Sequence, residues 1–105
     1  MTKTYANLID GEMVTSEATI DVLNPATEEV IAKVPACGKD ELDRAVDAAR
    51  AAFKSWRKTT PEERQKVVLS IAAAIKDNAD ELFRLLTSEQ GKPHAQAQQE
   101  IYGAA

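Results

Sequence analysis

The sequence predicts an α+β fold in which two N-terminal β-hairpins precede three to four α-helices. Short apolar runs separated by turn-forming residues occupy the first third of the 105 residues, a pattern typical of strands. Beyond Gly38, apolar residues recur every three or four positions, which is typical of amphipathic helices. We therefore assign residues 1–36 to a β-hairpin segment and residues 37–105 to a helical segment, and we expect the two together to form one incomplete domain.

A tight turn at Asp10-Gly11 predicts the first hairpin. The flanking runs, Tyr5–Ile9 and Met13-Val14, are suited to its two strands. An Asp-Gly pair favours such a turn because both of its residues accept the positive φ angles that a two-residue hairpin needs.

The second hairpin is predicted between residues 19 and 34. Thr19–Leu23 and Val30–Val34 are its strands, and Asn24–Glu29 is its turn. Pro25 presets φ at the second turn position, and the Asn24 side chain is able to accept a hydrogen bond from the following backbone. Residues 35–38 then lead to the helices.

The first helix is predicted from a continuous apolar stripe and an acidic first turn. Asp40, Glu41 and Asp43 stand where negative charge meets the positive end of the helix dipole, and Gly38 precedes them as the N-cap. The stripe consists of Leu42, Ala45, Val46, Ala49, Ala52, Phe53 and Trp56.

The second helix has the clearest start signal in the chain. Thr60 is its predicted N-cap, Pro61 its first helical residue and Glu63 the partner of Thr60 in a capping box. Its predicted buried face consists of Val67, Val68, Ile71, Ala72 and Ile75.

A third and a fourth helix follow. Asn78 either breaks or kinks the helical pattern, since Asn78 and Glu81 have the spacing of a further capping box. Gly91 ends the third helix, and Pro93 is predicted as the first residue of the fourth. The fourth helix carries no clear stop signal, so we expect residues 93–105 to be frayed or held by a neighbouring copy.

Composition argues against several classes of partner. The formal net charge is −4, with 44% hydrophobic and 29% charged residues. The chain lacks the clustered basic surface that nucleic acid requires, and no apolar run is long enough to span a bilayer, so we expect neither nucleic acid nor a membrane as partner. A single cysteine excludes an internal disulfide, which favours a cytoplasmic location.

Few residues are candidates for chemistry. His94 follows a proline in a polar stretch, where a surface role is favoured over catalysis. Cys37 lies near a helix start, a position that suits a reactive thiol, but we interpret it as a small residue in a connection. One histidine and one cysteine do not make an ordinary zinc site, and the four glycines are too far apart for a phosphate-binding loop. We therefore predict no catalytic, cofactor-binding or metal-binding residue in this chain.

Five stretches carry a family resemblance, in order and over nearly the whole chain. They are Asn7–Glu12, Ile20–Ala32, Asp43–Phe53 with Trp56 and Arg57, Pro61–Arg64, and Asn78–Leu82 continuing to Glu89–Pro93. Together they resemble the N-terminal region of the NAD(P)-dependent aldehyde dehydrogenase superfamily. The resemblance implies the N-terminal part of that family's α/β Rossmann-like cofactor domain. Glu28 departs from the family pattern, which usually has glycine there, and Gly38 stands where Ser or Thr is common.

The resemblance brings no site residue with it. The family's nucleophilic cysteine, glutamate base and oxyanion-hole asparagine all lie much later in its chain, as do its main NAD(P)-contacting segments. Cys37 does not correspond to the nucleophile, because its neighbours Ala36 and Gly38 belong to the connection before the first helix.

The resemblance implies an N-terminal fragment of an oxidoreductase whose parent converts an aldehyde and NAD(P)+ to a carboxylate and NAD(P)H. We expect the fragment to be catalytically inactive and to bind no cofactor alone, so whether this chain is itself an enzyme is left open. Its expected partners are other copies of itself or the remainder of the parent enzyme. The alternative is a non-catalytic, self-associating interaction module.

Overall fold

Five short strands precede four helices in the computed structural model, which describes residues 2–105. The α+β prediction is confirmed. By their contacts, the residues divide into two compact units. Unit 1 takes in the chain up to Leu23 together with Val30–Thr59, and unit 2 takes in Asn24–Glu29 together with Thr60–Ala105. The elements are β1 Lys3–Thr4, β2 Asn7–Ile9, β3 Glu12–Val14, β4 Thr19–Leu23, β5 Val30–Pro35, α1 Lys39–Trp56, α2 Pro61–Asp77, α3 Ala79–Gln90 and α4 His94–Ala104.

Unit 1 contains a three-stranded sheet in the order β1-β5-β4. The antiparallel pairing of β4 with β5 places Ile20 opposite Val34, with a bulge between Val22 and Leu23. Strand β1 runs parallel to β5, with Lys3 opposite Ala32. The sequence did not predict β1, because two exposed residues show no alternation of apolar and polar positions.

The first predicted hairpin is the separate two-stranded sheet of β2 and β3. Its register places Leu8 opposite Met13. Asp10 and Gly11 form the turn with φ values of 53° and 79°, which confirms the predicted chemistry of the Asp-Gly pair. Ile9 is the buried residue of this hairpin.

Helix α1 begins at the predicted N-cap. The Gly38 N–H donates to Glu41 Oε2 at 2.9 Å, so the first-turn carboxylate satisfies the backbone donor of the N-cap residue. The apolar stripe of α1 is present but exposed, and no residue of this helix is buried.

In unit 2, the predicted Asn24–Glu29 turn is confirmed. The Ala26 N–H donates to Asn24 Oδ1 at 2.9 Å, and the Glu28 N–H donates to the Asn24 carbonyl at 2.8 Å. Glu28 has φ of 61°, in the left-handed region that favours glycine.

The start of α2 also confirms its prediction. The Glu63 N–H donates to Thr60 Oγ1 at 3.2 Å, and the Thr60 N–H donates to Glu63 Oε2 at 2.7 Å, which is a complete capping box. The predicted buried face is wrong, however: Val67, Val68 and Ile71 are exposed. Only the other two residues of that face are half-buried, because α2 packs on α3 and α4 along one side.

Asn78 separates α2 from α3. Its side-chain Nδ2 donates to the Ala74 carbonyl at 2.8 Å and so caps the end of α2. The side chain makes no capping hydrogen bond to α3, so the predicted capping box with Glu81 is wrong. The amide donates to the preceding helix instead, because the last carbonyls of a helix need donor partners from outside its regular hydrogen-bond pattern.

Helix α4 begins one residue later than predicted. Pro93 is the N-cap in an extended conformation, and its carbonyl accepts from the N–H groups of Gln96 and Ala97 at 3.0 Å each. The structure has a regular helix over His94–Ala104, where a frayed segment was expected. Ala97 is fully buried, and α4 packs on α3 and α2, which explains the difference.

Candidate functional site

A hollow of unit 1 lies between the β2–β3 hairpin and the start of α1. Its volume is about 680 Å³. The wall is partly apolar, from Leu8, Ile9 and Leu42, and partly polar, from Asn7 and Glu41. Strand β2 of the hairpin contacts α1.

Cys37 is the only nucleophilic thiol at this groove. It is half-buried, and its Sγ accepts a hydrogen bond from Asn7 Nδ2 at 3.1 Å. Sequence reasoning missed Asn7, and no local signal was available because the two residues come together only through the fold. A nucleophilic cysteine needs a base or a positive charge beside it. The Cys37 thiol instead contacts the neutral amide of Asn7.

The charges beside the groove stabilise the start of α1. The backbone N–H groups of Glu41 itself and of Gly38 donate to the Glu41 carboxylate, with a smaller contribution from the charge of Arg44, and they lower the pKa of that carboxyl below its usual 4.5. Lys39 forms an ion pair with Asp43 one turn further along. These groups are engaged within the helix rather than aimed at a reacting centre.

A second hollow of about 380 Å³ lies further along α1. Asp10, Glu12 and Asp47 line it together with Arg44. Within residues 2–105, however, no three His, Cys, Asp or Glu side chains come close enough to hold a metal ion.

His94 lies in unit 2, at the start of α4. Its ring meets Phe83 edge to face, with 5.7 Å between centroids and 72° between planes. His94 is exposed, which agrees with its predicted surface position. Nearby, Lys92 pairs with Glu100 and ties the connection before α4 to the helix. The hydroxyl of Thr87 is buried without a hydrogen-bond partner.

Comparison with known proteins identifies the family. A family model described as "Aldehyde dehydrogenase family" matches residues 13–105. The chain belongs to this family. The resemblance seen in its five ordered stretches is thereby confirmed.

Curated aldehyde dehydrogenases are similar to this chain over most of its length. Methylmalonate-semialdehyde/malonate-semialdehyde dehydrogenase of Mus musculus, a mitochondrial protein, is 43% identical over 96 residues, which are 90% of this chain and 18% of the mouse protein. Malonate-semialdehyde dehydrogenase 3 of Geobacillus kaustophilus is 42% identical over 102 residues, which are 95% of this chain and 21% of that protein. The chain thus spans about a fifth of the length of these aldehyde dehydrogenases.

Solved structures show the same backbone. Lactaldehyde dehydrogenase from Escherichia coli matches with a TM-score of 0.93 and 35% identity, over 96% of this chain and 22% of that one. Succinate-semialdehyde dehydrogenase from Burkholderia pseudomallei matches with a TM-score of 0.89 and 40% identity, over 95% of this chain and 21% of that one. The hairpins and helices of this aldehyde dehydrogenase chain therefore correspond to the N-terminal portion of the family's Rossmann-like domain.

The pyrophosphate of NAD or NADP finds no glycine-rich loop in this chain, and the chain's own side chains engage the starts of α1 and α2. Phosphates bind free N–H groups at helix N-termini or in glycine-rich loops. The Glu41 carboxylate already accepts the Gly38 N–H before α1, and Thr60 with Glu63 closes the start of α2. The starts of α3 and α4, by contrast, carry no side-chain capping hydrogen bond.

The predicted absence of catalytic, cofactor-binding and metal-binding residues stays a prediction. Among the residues from 2 onward, none of the helices combines the length and the hydropathy required to cross a bilayer. The cytoplasmic location also stays a prediction, and the division into a hairpin segment 1–36 and a helical segment 37–105 of one incomplete domain remains one as well.

Proposed function

We propose that this chain is the N-terminal segment of an aldehyde dehydrogenase-like oxidoreductase. The parent reaction converts an aldehyde, water and NAD(P)+ to a carboxylate, NAD(P)H and two protons. The family match over residues 13–105 is the observation that carries the proposal. Semialdehyde dehydrogenases among the similar proteins support an aldehyde as the parent's substrate.

In the same proposal, the 105-residue chain is catalytically inactive. Aldehyde oxidation requires a thiolate that attacks the carbonyl and a base that activates water. Cys37 meets the amide of Asn7, and His94 packs against Phe83, so neither supplies this pair. The chain's own side chains engage backbone N–H groups at the starts of α1 and α2, which supports the absence of cofactor binding by this chain alone.

Two assays test the proposal. The purified chain is incubated with malonate semialdehyde and NAD+ or NADP+, and NAD(P)H formation is followed by absorbance; we expect the rate of the buffer control. A single polypeptide that joins this chain to the part of the Geobacillus kaustophilus enzyme it does not match should form NAD(P)H. Turnover by the chain alone overturns its inactivity, and a folded but inactive joined protein argues against the assignment.

A second candidate function is a self-associating interaction module. The observation that favours it is the exposed apolar stripe of α1, which includes Leu42, Phe53 and Trp56. Exposed apolar patches are typical of protein–protein contacts. Sedimentation velocity over a range of concentrations decides this point, because a strict monomer at high concentration counts against the module.

A further inference from the structure

Helix α1 exposes one apolar face along its whole length. Leu42 is 62% exposed, Phe53 is 57% exposed and Trp56 is 44% exposed. At 3.6 residues per turn, these residues lie within roughly 80° around the helix axis together with Val46 and Ala49, which are also exposed. We call these five residues the exposed α1 face. Helix α1 contacts β2 but has no buried residue, so this face is not covered within unit 1.

Charged side chains lie along one flank of the exposed α1 face, and their signs follow an order. Asp43 and Asp47 stand beside its N-terminal half, and Arg50 and Lys54 stand beside its C-terminal half. These four exposed residues lie within roughly 60° of one another around the helix axis. Lys39 pairs with Asp43, so Asp47 carries the net negative charge of the N-terminal half of this flank.

A second α1 packed antiparallel on this face matches both patterns. Two-fold symmetry centred on Ala49 places Leu42 of each copy beside Trp56 of the other, because both lie seven residues from the centre. The small Ala49 at the centre lets the two helices approach closely. The same symmetry brings the two charged flanks to one side of the pair, with Asp47 of each copy facing Arg50 of the other. In a parallel pair the flanks lie on opposite sides, and these charges do not meet.

We propose that the exposed α1 face is the docking surface for a second copy of this chain, in an antiparallel α1–α1 pair. The inference rests on the second candidate function, the self-associating module, and gives it a surface and a geometry. Charge complementarity selects the second copy, because a flank that is acidic first and basic last is complementary to its own reverse. Apolar contact supplies the attraction. The exposed ion pairs contribute little energy and set the orientation.

Sedimentation velocity of the full 105-residue chain, from micromolar to millimolar concentration, tests the surface. We expect a reversible monomer–dimer equilibrium. Val46→Glu/Phe53→Glu should weaken dimerisation by about tenfold or more, since an unpaired carboxylate is strongly disfavoured in an apolar contact. Ala51→Glu is the matched control, because it places the same carboxylate roughly 160° from Phe53 on the same helix. It should leave dimerisation unchanged.

Charge reversal tests the antiparallel geometry. Asp47→Arg and Arg50→Asp should each weaken dimerisation by about threefold or more, because each places like charges opposite one another at two symmetric positions. The combined variant Asp47→Arg/Arg50→Asp should restore dimerisation, since opposite charges then meet again. Lys66→Asp, an exposed position on α2, makes the same change in net charge as Arg50→Asp and should have no effect. Circular dichroism of each variant should match the unchanged chain, because the substituted side chains are exposed.

Three results overturn the inference. Self-association that survives Val46→Glu/Phe53→Glu rejects the α1 surface and retains the self-associating module. Single charge reversals without effect, or a combined variant that does not restore dimerisation, reject the antiparallel geometry. A strict monomer at millimolar concentration rejects both the pair and the self-associating module, and it leaves the exposed α1 face to a different polypeptide.

Discussion

Gly91 and Pro25 are in direct contact within unit 2. A β-carbon built on Gly91 would lie 3.1 Å from Pro25 Cγ, closer than side chains normally approach. Gly91 has φ of 75°, and its N–H donates to the Thr87 carbonyl at 2.8 Å, so it ends α3 in the left-handed conformation. Glycine is needed here for both its backbone angle and its missing side chain, and the contact holds the Asn24–Glu29 turn against the end of α3.

Gly91→Ala should therefore destabilise the chain through two effects. The left-handed conformation costs a non-glycine residue about 1–2 kcal/mol, and the added methyl group forces Pro25 to shift by a few tenths of an ångström. Gly11→Ala is the matched control, because Gly11 has φ of 79° and no atom within 4 Å of the added carbon. Urea unfolding of both variants measures the difference. Equal losses of stability would show that the Pro25 contact contributes nothing.

Glu28→Gly should stabilise the chain. Glu28 has φ of 61°, and glycine relieves that strain while losing some conformational entropy on folding. The expected net gain in free energy of unfolding is about 0.5–1 kcal/mol. Glu29→Gly serves as control, since Glu29 does not have a positive φ, and it should stabilise nothing. A fall in melting temperature for Glu28→Gly would mean that the side chain stabilises the turn in a way that outweighs the strain.

Local signals predicted most of the elements, because the groups that form them are close in sequence. The Thr60–Glu63 capping box and the Asp10-Gly11 turn both involve residues at most three positions apart. Strand β1 was not predicted, because it pairs with the distant strand β5 and the residues around Lys3 show no pattern that indicates this pairing. Asn78 is the N-cap of α3, as its spacing to Glu81 predicts, but its side-chain amide donates to the end of α2, because suitable backbone partners lie on either side of it.

Burial was harder to predict than secondary structure. The apolar face of α2 was recognised correctly as apolar, but Val67, Val68 and Ile71 are exposed among the residues described. The periodicity of apolar residues predicts which side of a helix favours burial. It does not predict whether another element covers that side, because the covering element lies elsewhere in the sequence. The partner of Cys37 was equally hard to predict. Asn7 is 30 positions away in sequence, so no spacing rule identifies it as the neighbour of Cys37.

The stability contributed by Glu41 should depend on pH. Hydrogen bonds from its own backbone N–H and that of Gly38, with the charge of Arg44, lower the pKa of this carboxyl below 4.5 in the folded chain. A depressed pKa contributes stability that is fully present above 4.5 and is lost as the pH falls through the lower folded value. Glu41→Gln should therefore be less stable than the unchanged chain at neutral pH, and the difference should shrink in acid.

Urea unfolding at several pH values from neutral to acid measures this difference. Glu17→Gln, in the exposed connection between β3 and β4, is the matched control for removing one carboxylate. A Glu41→Gln difference that stays constant with pH would contradict the role of the ionised carboxylate at the start of α1.

Ala97 limits how closely α4 packs within unit 2. It is 0% exposed, and α4 contacts both α3 and α2, so a larger side chain has no room there. Ala97→Leu should lower the free energy of unfolding by about 1–3 kcal/mol through overpacking. Ala95→Leu is the matched control, since Ala95 is exposed on the same helix and leucine is nearly as good a helix former as alanine. Thermal and urea unfolding of the two variants compare them directly. If Ala97→Leu is as stable as Ala95→Leu, α4 is not packed against its neighbours in solution, and the frayed segment expected from the sequence is restored.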